Sequence, residues 1–70
     1  MAKDDAAKLK ILLSHWVEHN EEHAAEFTQW ALKARASGND RVHDHMMKAV
    51  QQMKGANKSL LAALEGLKEG

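Results

Sequence analysis

Three histidines spaced four residues apart are the part of this 70-residue chain best suited to chemistry. His15, His19 and His23 stand one above the other if the segment is helical, because residues four apart share a helix face. Two imidazoles at this spacing can bind one transition-metal ion without distorting the backbone. Several carboxylates accompany them, the last of which is Glu26. The pattern therefore predicts a helix that binds a metal ion.

The rise of a helix limits which histidines can share an ion. His15 and His23 would lie about 12 Å apart along the helix axis, so that one ion within a chain can contact His15 with His19 or His19 with His23. Imidazole ligands suit nickel and copper, which we favour, and also zinc or iron, whereas magnesium and calcium prefer oxygen. The candidate ligands are therefore His15, His19, His23 and Glu26.

The composition indicates a single small domain over residues 1–70. The chain has no cysteine, so a metal ion or self-association is expected to supplement a core of this size. Ten basic and ten acidic residues balance, which argues against nucleic acid or an anionic membrane as a partner. No apolar run approaches membrane-spanning length, and the first residues do not resemble a secretory signal. We therefore expect a cytoplasmic protein.

Two helices are predicted to position the histidines. Proline is absent and good helix formers dominate. Gly38 can adopt the left-handed conformation that ends a helix, and Asp4 or Asp5 is expected to cap the first helix. The predicted helices span about 5–36 and 40–67, with ends uncertain by a few residues.

Apolar residues recur in alternating steps of three and four, the heptad pattern of packed helices. The predicted seam of the first helix is Leu9, Leu13, Trp16, Asn20, His23, Phe27, Trp30 and Ala34, and that of the second is His43, Met46, Val50, Met53, Asn57, Leu60, Leu64 and Leu67. Folding the chain back at 38–39 pairs positions whose numbers sum to about 77. This register predicts an antiparallel hairpin with Asn20 opposite Asn57.

Further apolar residues widen the stripe beyond what two helices can cover: Leu12, Val17, Met47 and Leu61. The predicted architecture is therefore all-α, a helical hairpin that forms a homodimer with four helices in a bundle. In such a dimer His19 and His23 would meet their copies. This arrangement favours them over His15 as the metal ligands.

Three polar residues fall on the seam, and a buried polar group needs a partner, water or a ligand. For Asn20 and Asn57, a polar layer that fixes the register explains the sequence as well as a functional role does. His23 favours function, because His19 and Glu26 are close to it. His43 and the nearby His45 are better explained as polar residues at a helix start.

The segment His-Trp-Val-Glu-His-Asn-Glu-Glu-His at 15–23, with Glu26-Phe27 and Trp30-Ala31 after it, resembles a small bacterial and archaeal helical domain. Its signature is His-Trp-(Ile/Val)-Glu-His-Asn-x-x-His, and it occurs alone or appended to CooT-like proteins, a group linked with nickel handling. The resemblance covers essentially the whole chain and implies nickel as a candidate metal. CooT-like proteins themselves use an N-terminal cysteine, which this chain lacks, so their binding chemistry does not carry over.

The function expected from these patterns is transition-metal binding for storage, delivery or sensing, without catalysis. A delivery function would involve a partner protein that receives the ion. One alternative is a structural dimerisation module whose histidines tune a pH-dependent dimer. A dinuclear redox enzyme is the weaker alternative. Such enzymes normally use Glu-x-x-His pairs, and the chain has none.

Overall fold

The computed structural model describes residues 2–69 as two α-helices, α1 (Lys3–Ala36) and α2 (Asp40–Glu69). The helices pack against each other along their length, and the molecule measures 52 × 14 × 13 Å between Cα atoms. The predicted all-α hairpin is confirmed, and each helix end lies within two residues of its predicted position. Neither helix, over the residues described, is long and apolar enough to cross a membrane.

The turn between the helices is set by Gly38, whose φ of 87° lies in the left-handed region. Two backbone hydrogen bonds close the end of α1: the amide of Gly38 donates to the carbonyl of Arg35 at 3.0 Å, and that of Asn39 donates to Ala34 at 2.8 Å. This pattern is the Schellman motif, in which a glycine reverses the chain directly after a helix. The turn thus sends α2 back along α1.

The start of α1 differs from the sequence prediction. Ala2 occupies the N-cap position and makes no side-chain capping bond, while Asp4 and Asp5 both lie inside the first turn. The prediction that one of these aspartates caps the helix is therefore wrong. Their carboxylates instead lie near the positive end of the helix dipole, which stabilises the helix in a different way.

The core consists of small and medium-sized side chains from both helices. The buried residues are Leu13, Val17, Ala24, Ala31, Val50, Asn57 and Leu64. On α2 they confirm the predicted seam, since Val50, Asn57 and Leu64 all belong to it. Val50 is only 1 % exposed and is the largest fully buried side chain among the described residues.

On α1 only part of the predicted seam is kept: Leu13 is buried and Asn20 is half-buried as predicted, but the alternate seam positions are displaced by one residue. The buried positions are Val17, Ala24 and Ala31 in place of Trp16, His23 and Trp30. Trp16 is 42 % and Trp30 55 % exposed, so the prediction that these indoles lie in the seam is wrong. Valine and alanine allow the two helix backbones to approach closely, whereas an indole between them would force the helices apart.

The polar layer in the core is satisfied within the chain. Asn20 Nδ2 donates to Asn57 Oδ1 at 2.9 Å, and Asn57 Nδ2 donates to the Val17 carbonyl at 3.1 Å. The pairing confirms the predicted register of Asn20 opposite Asn57. Throughout the described part of the chain, every buried side-chain nitrogen or oxygen has a hydrogen-bond partner. The asparagines are therefore paired without a ligand, as expected of a polar layer that fixes the register.

Candidate metal centre on the first helix

One side of the hairpin carries a line of mostly apolar side chains from each helix. The eight residues, which we call the apolar face, are Leu9, Trp16, His23, Trp30, Met46, Met53, Leu60 and Leu67. Within each helix they are seven residues apart, which is two turns, so each set of four lies in a line beside the core. The two indoles are the most exposed members of this face, and the other six side chains are half-buried. His23 is the one polar member of this face.

The three imidazoles of α1 form the continuous column that their spacing predicts. The rings of His15 and His19 are nearly parallel, with centroids 5.9 Å apart and an angle of 11°. His19 and His23 meet edge to face, with centroids 4.4 Å apart. The ring of His23 in turn lies 5.8 Å from that of Phe27. We call His15, His19 and His23 the imidazole column.

The column runs obliquely across the helix surface. Each step of four residues turns about 40° around the axis, so its ends face different directions. His15 and His19 are exposed, whereas His23 is half-buried on the apolar face. The prediction that His23 shares the buried layer of Asn57 is thus correct only in part, because the residue lies at the edge of the core.

The ring separations are close to those of two imidazoles bound to one ion. With nitrogen about 2.0–2.1 Å from the metal, the centroids of two such rings lie roughly 4.5–5.2 Å apart. His19 and His23, at 4.4 Å, lie just below this range. Side-chain rotation, without backbone movement, would therefore suffice to direct both rings at one ion. His15 and His19 would need to approach by less than about 1.5 Å.

A second column, of carboxylates, runs beside the imidazoles. Glu18, Glu22 and Glu26 each follow a histidine by three residues, so the segment repeats His-x-x-Glu three times. The repeat is visible in the spacing alone, but of these three carboxylates only Glu26 was predicted as a ligand. All three are exposed. Glu26 lies two turns beyond His19 on the same side of α1, which leaves it beside the apolar face.

In the side-chain arrangement of the structure, a single chain supplies only part of a metal site. Among the side chains that the structure describes, residues 2–68, no three from histidine, aspartate or glutamate converge closely enough to hold one ion. The pair His19 and His23 offers two ligands, and a metal in such a site normally takes at least three from protein. Further ligands must come from a second chain or from rotation of the exposed carboxylates.

Residues 9–67 match the family described as a domain of unknown function, DUF8180. The chain belongs to this family. The match spans the core of both helices and includes the whole imidazole column. No curated protein and no solved structure matches the chain.

The other two histidines of this DUF8180 domain lie apart from the column. His43 Nδ1 is 2.9 Å from Asp44 Oδ1, and its side chain is 14 % exposed, whereas His45 is exposed. Both are in the first two turns of α2, about 15 Å along the axis from His23. Their placement agrees with the prediction that they are polar residues at a helix start.

The opposite side of the DUF8180 hairpin has a different character. A groove between the helices is lined by Glu21, Ala24, Ala25, Thr28, Lys54 and Asn57. It contains a single carboxylate and a lysine, and its histidine-free lining offers no set of metal ligands. Glu21 is therefore a useful control for the carboxylates of the second column, because it is also exposed but lies on the other side of the hairpin.

Proposed function

We propose that this protein binds a transition-metal ion at the interface of a homodimer, with His19 and His23 of both copies as ligands. The function is storage, delivery or sensing of the ion, without chemistry on a substrate. The observation that carries the proposal is the 4.4 Å separation of these two rings at the edge of an exposed apolar face. A metal there would be held by imidazoles in a site that is shielded once the face is covered.

A second copy of the chain is the occupant we propose for the apolar face. The apolar face runs the length of a molecule that measures 52 by 14 Å on this side. Covering this side would bury about 700 Å² per chain, or about 1,400 Å² in a face-to-face dimer. Stable interfaces bury about 1,200–2,000 Å². Two exposed indoles on a chain this small also favour burial against a partner. The result would be a four-helix bundle.

The position of the histidines along α1 suits a two-fold axis. The helix runs from Lys3 to Ala36, so His19 lies at its middle and His23 one turn further. Two hairpins that overlap along their full length would have their axis near this point. The imidazole pairs of the two copies would then face each other, with Glu26 of each chain nearby. Four imidazoles could hold one ion on the axis or two ions related by it.

The donor set narrows the choice of metal. Neutral imidazole is a borderline ligand that suits nickel and copper, which we favour, and also zinc or iron. The resemblance to domains found with CooT-like proteins adds weight to nickel. A delivery function further implies a partner protein that receives the ion. The lack of cysteine excludes thiolate ligands, so the ion would remain exchangeable with such a partner.

Replacing both proposed ligands tests the assignment. We expect His19→Ala/His23→Ala to lose uptake of nickel, copper or zinc, measured by titration calorimetry and elemental analysis of untagged protein. The matched control is His43→Ala/His45→Ala, which removes two histidines from α2 and should leave uptake unchanged. Equal affinity in the wild type and the first variant would refute the site.

Metal binding and dimerisation should be coupled if the site spans two chains. A ligand that binds only the dimer stabilises it by mass action. We expect apo protein to melt at a lower temperature and to dissociate at a higher concentration than the metal-loaded form. A dissociation constant that is the same with saturating metal and with chelator would place the ion away from the interface.

A second candidate function is a dimerisation module without metal. It is favoured by one observation, namely that the buried polar groups of the described residues are already paired within the chain. In this case the histidines would only make dimerisation depend on pH. Chelators would then have no effect on the dimer. Screens for metal-dependent oxidase or peroxidase turnover are expected to be negative under both proposals.

A further inference from the structure

We propose that His15, Glu18, His19 and Glu22 form a second metal site, on the outer side of α1, from which ions pass to the interface site. This outer site rests on the proposed function, because its purpose is to load that site. It differs from the interface site in every ligand except His19. It also stays in contact with solvent when the apolar face is covered.

The four side chains line one depression on the surface of α1, although no three of them converge on one point, so side-chain rotation has to complete the site. Their spacing of three and four residues places them at the corners of a diamond, in which each histidine neighbours a glutamate. All four are exposed, so their torsions are not held by packing. The rings of His15 and His19 face each other at an angle of 11°, and a modest rotation of each brings one nitrogen toward a common ion.

The surrounding charge favours a cation at this place. No lysine or arginine lies between Lys10 and Lys33, so α1 does not neutralise Glu18 and Glu22 from within this stretch. Carboxylates concentrated on one surface raise the local concentration of cations and their rate of association. Two imidazoles with two carboxylates suit divalent zinc, nickel or iron, which accept both nitrogen and oxygen ligands.

The shared residue His19 connects the outer site to the interface site. Its ring is the middle member of the imidazole column, 5.9 Å from that of His15 and 4.4 Å from that of His23. An ion held by His15 and His19 reaches the interface by exchanging His15 for His23 while it stays bound to His19. Carboxylates at the exposed end attract the ion, and a more enclosed set of imidazoles retains it.

The test uses His23→Ala, which removes the interface pair and leaves the outer site intact. Titration with nickel or zinc ions should show one weaker ion per chain in this variant. Adding His15→Ala should abolish the remaining binding, whereas adding His45→Ala, an exposed histidine of α2, should not. In the same background we expect Glu22→Gln to weaken affinity about tenfold or more and Glu21→Gln to leave it unchanged. Circular dichroism confirms that each variant is folded.

Two results would overturn the outer site: no metal binding to His23→Ala, or residual binding that is insensitive to His15→Ala and Glu22→Gln. The proposed interface site fails in a different way, namely if His23→Ala binds as tightly and with the same stoichiometry as the wild type. The two proposals are therefore tested separately by the same set of variants.

Discussion

Trp30 offers the sharpest test of the proposed dimer, because its indole is the most exposed side chain of the apolar face. A tryptophan can bury up to about 250 Å², so an exposed fraction of 55 % leaves about 140 Å² uncovered on each chain. In a symmetric dimer the two copies would bury about 280 Å² in total, worth at most about 7 kcal/mol at 25 cal/mol per Å². The substitution Trp30→Ala should therefore weaken the dimer strongly.

Only part of these roughly 7 kcal/mol contributes to the free energy of association, because dimerisation also orders side chains and removes polar groups from water. We expect a loss of about 2–4 kcal/mol, which raises the dimer dissociation constant by roughly 30- to 900-fold. The matched control is Leu32→Ala. Leu32 is 54 % exposed but lies about 200° around α1 from Trp30, on a side that the dimer leaves open.

Sedimentation equilibrium over a range of protein concentrations measures the dimer dissociation constants of both variants. Fluorescence of Trp16, the remaining indole in Trp30→Ala, reports independently whether the apolar face is covered. Helix content by circular dichroism should be the same in both variants, because neither residue is in the hairpin core. If Trp30→Ala and Leu32→Ala associate equally well, or if the wild type is monomeric at high micromolar concentration, the apolar face is not the dimer interface.

Three further predictions concern the turn, the polar layer and the metal. Gly38→Ala should lower the free energy of unfolding by about 1 kcal/mol, because φ is 87° there. Gly55→Ala, on the open side of α2, should raise it by about 1 kcal/mol, because alanine favours the helix. Urea titrations of the two variants should therefore give changes of opposite sign. Asn57→Ala should lower the free energy of unfolding by about 1–3 kcal/mol, because the Asn20 amide loses its hydrogen-bond partner. A melting temperature equal to that of the wild type would contradict this. Metal binding should weaken as the solution is acidified, because protons compete with the ion for the imidazole nitrogens; an affinity that chelator competition finds unchanged on acidification would contradict this.

The hairpin could be predicted from the sequence because its determinants are local. Helix formers, the absence of proline and the single turn at Gly38 set the lengths of both helices to within two residues. The register followed from the same pattern, since only a pairing near Asn20 and Asn57 aligns the polar seam positions. The imidazole column is equally local, because residues four apart on a helix must be neighbours.

The rotation of α1 about its own axis was decided by tertiary packing. Its apolar stripe is wide enough that either Trp16 or Val17 could face α2, and periodicity alone does not distinguish them. The small side chains of Ala24 and Ala31 allow the two backbones to approach closely, so this side of α1 packs against α2 and both indoles remain exposed. His23 moved with them from the predicted core to the edge of the apolar face. The sequence by itself thus determined which imidazoles are neighbours. The close packing of the two helices determined which of these imidazoles lies on the apolar face, where a second chain could contact it.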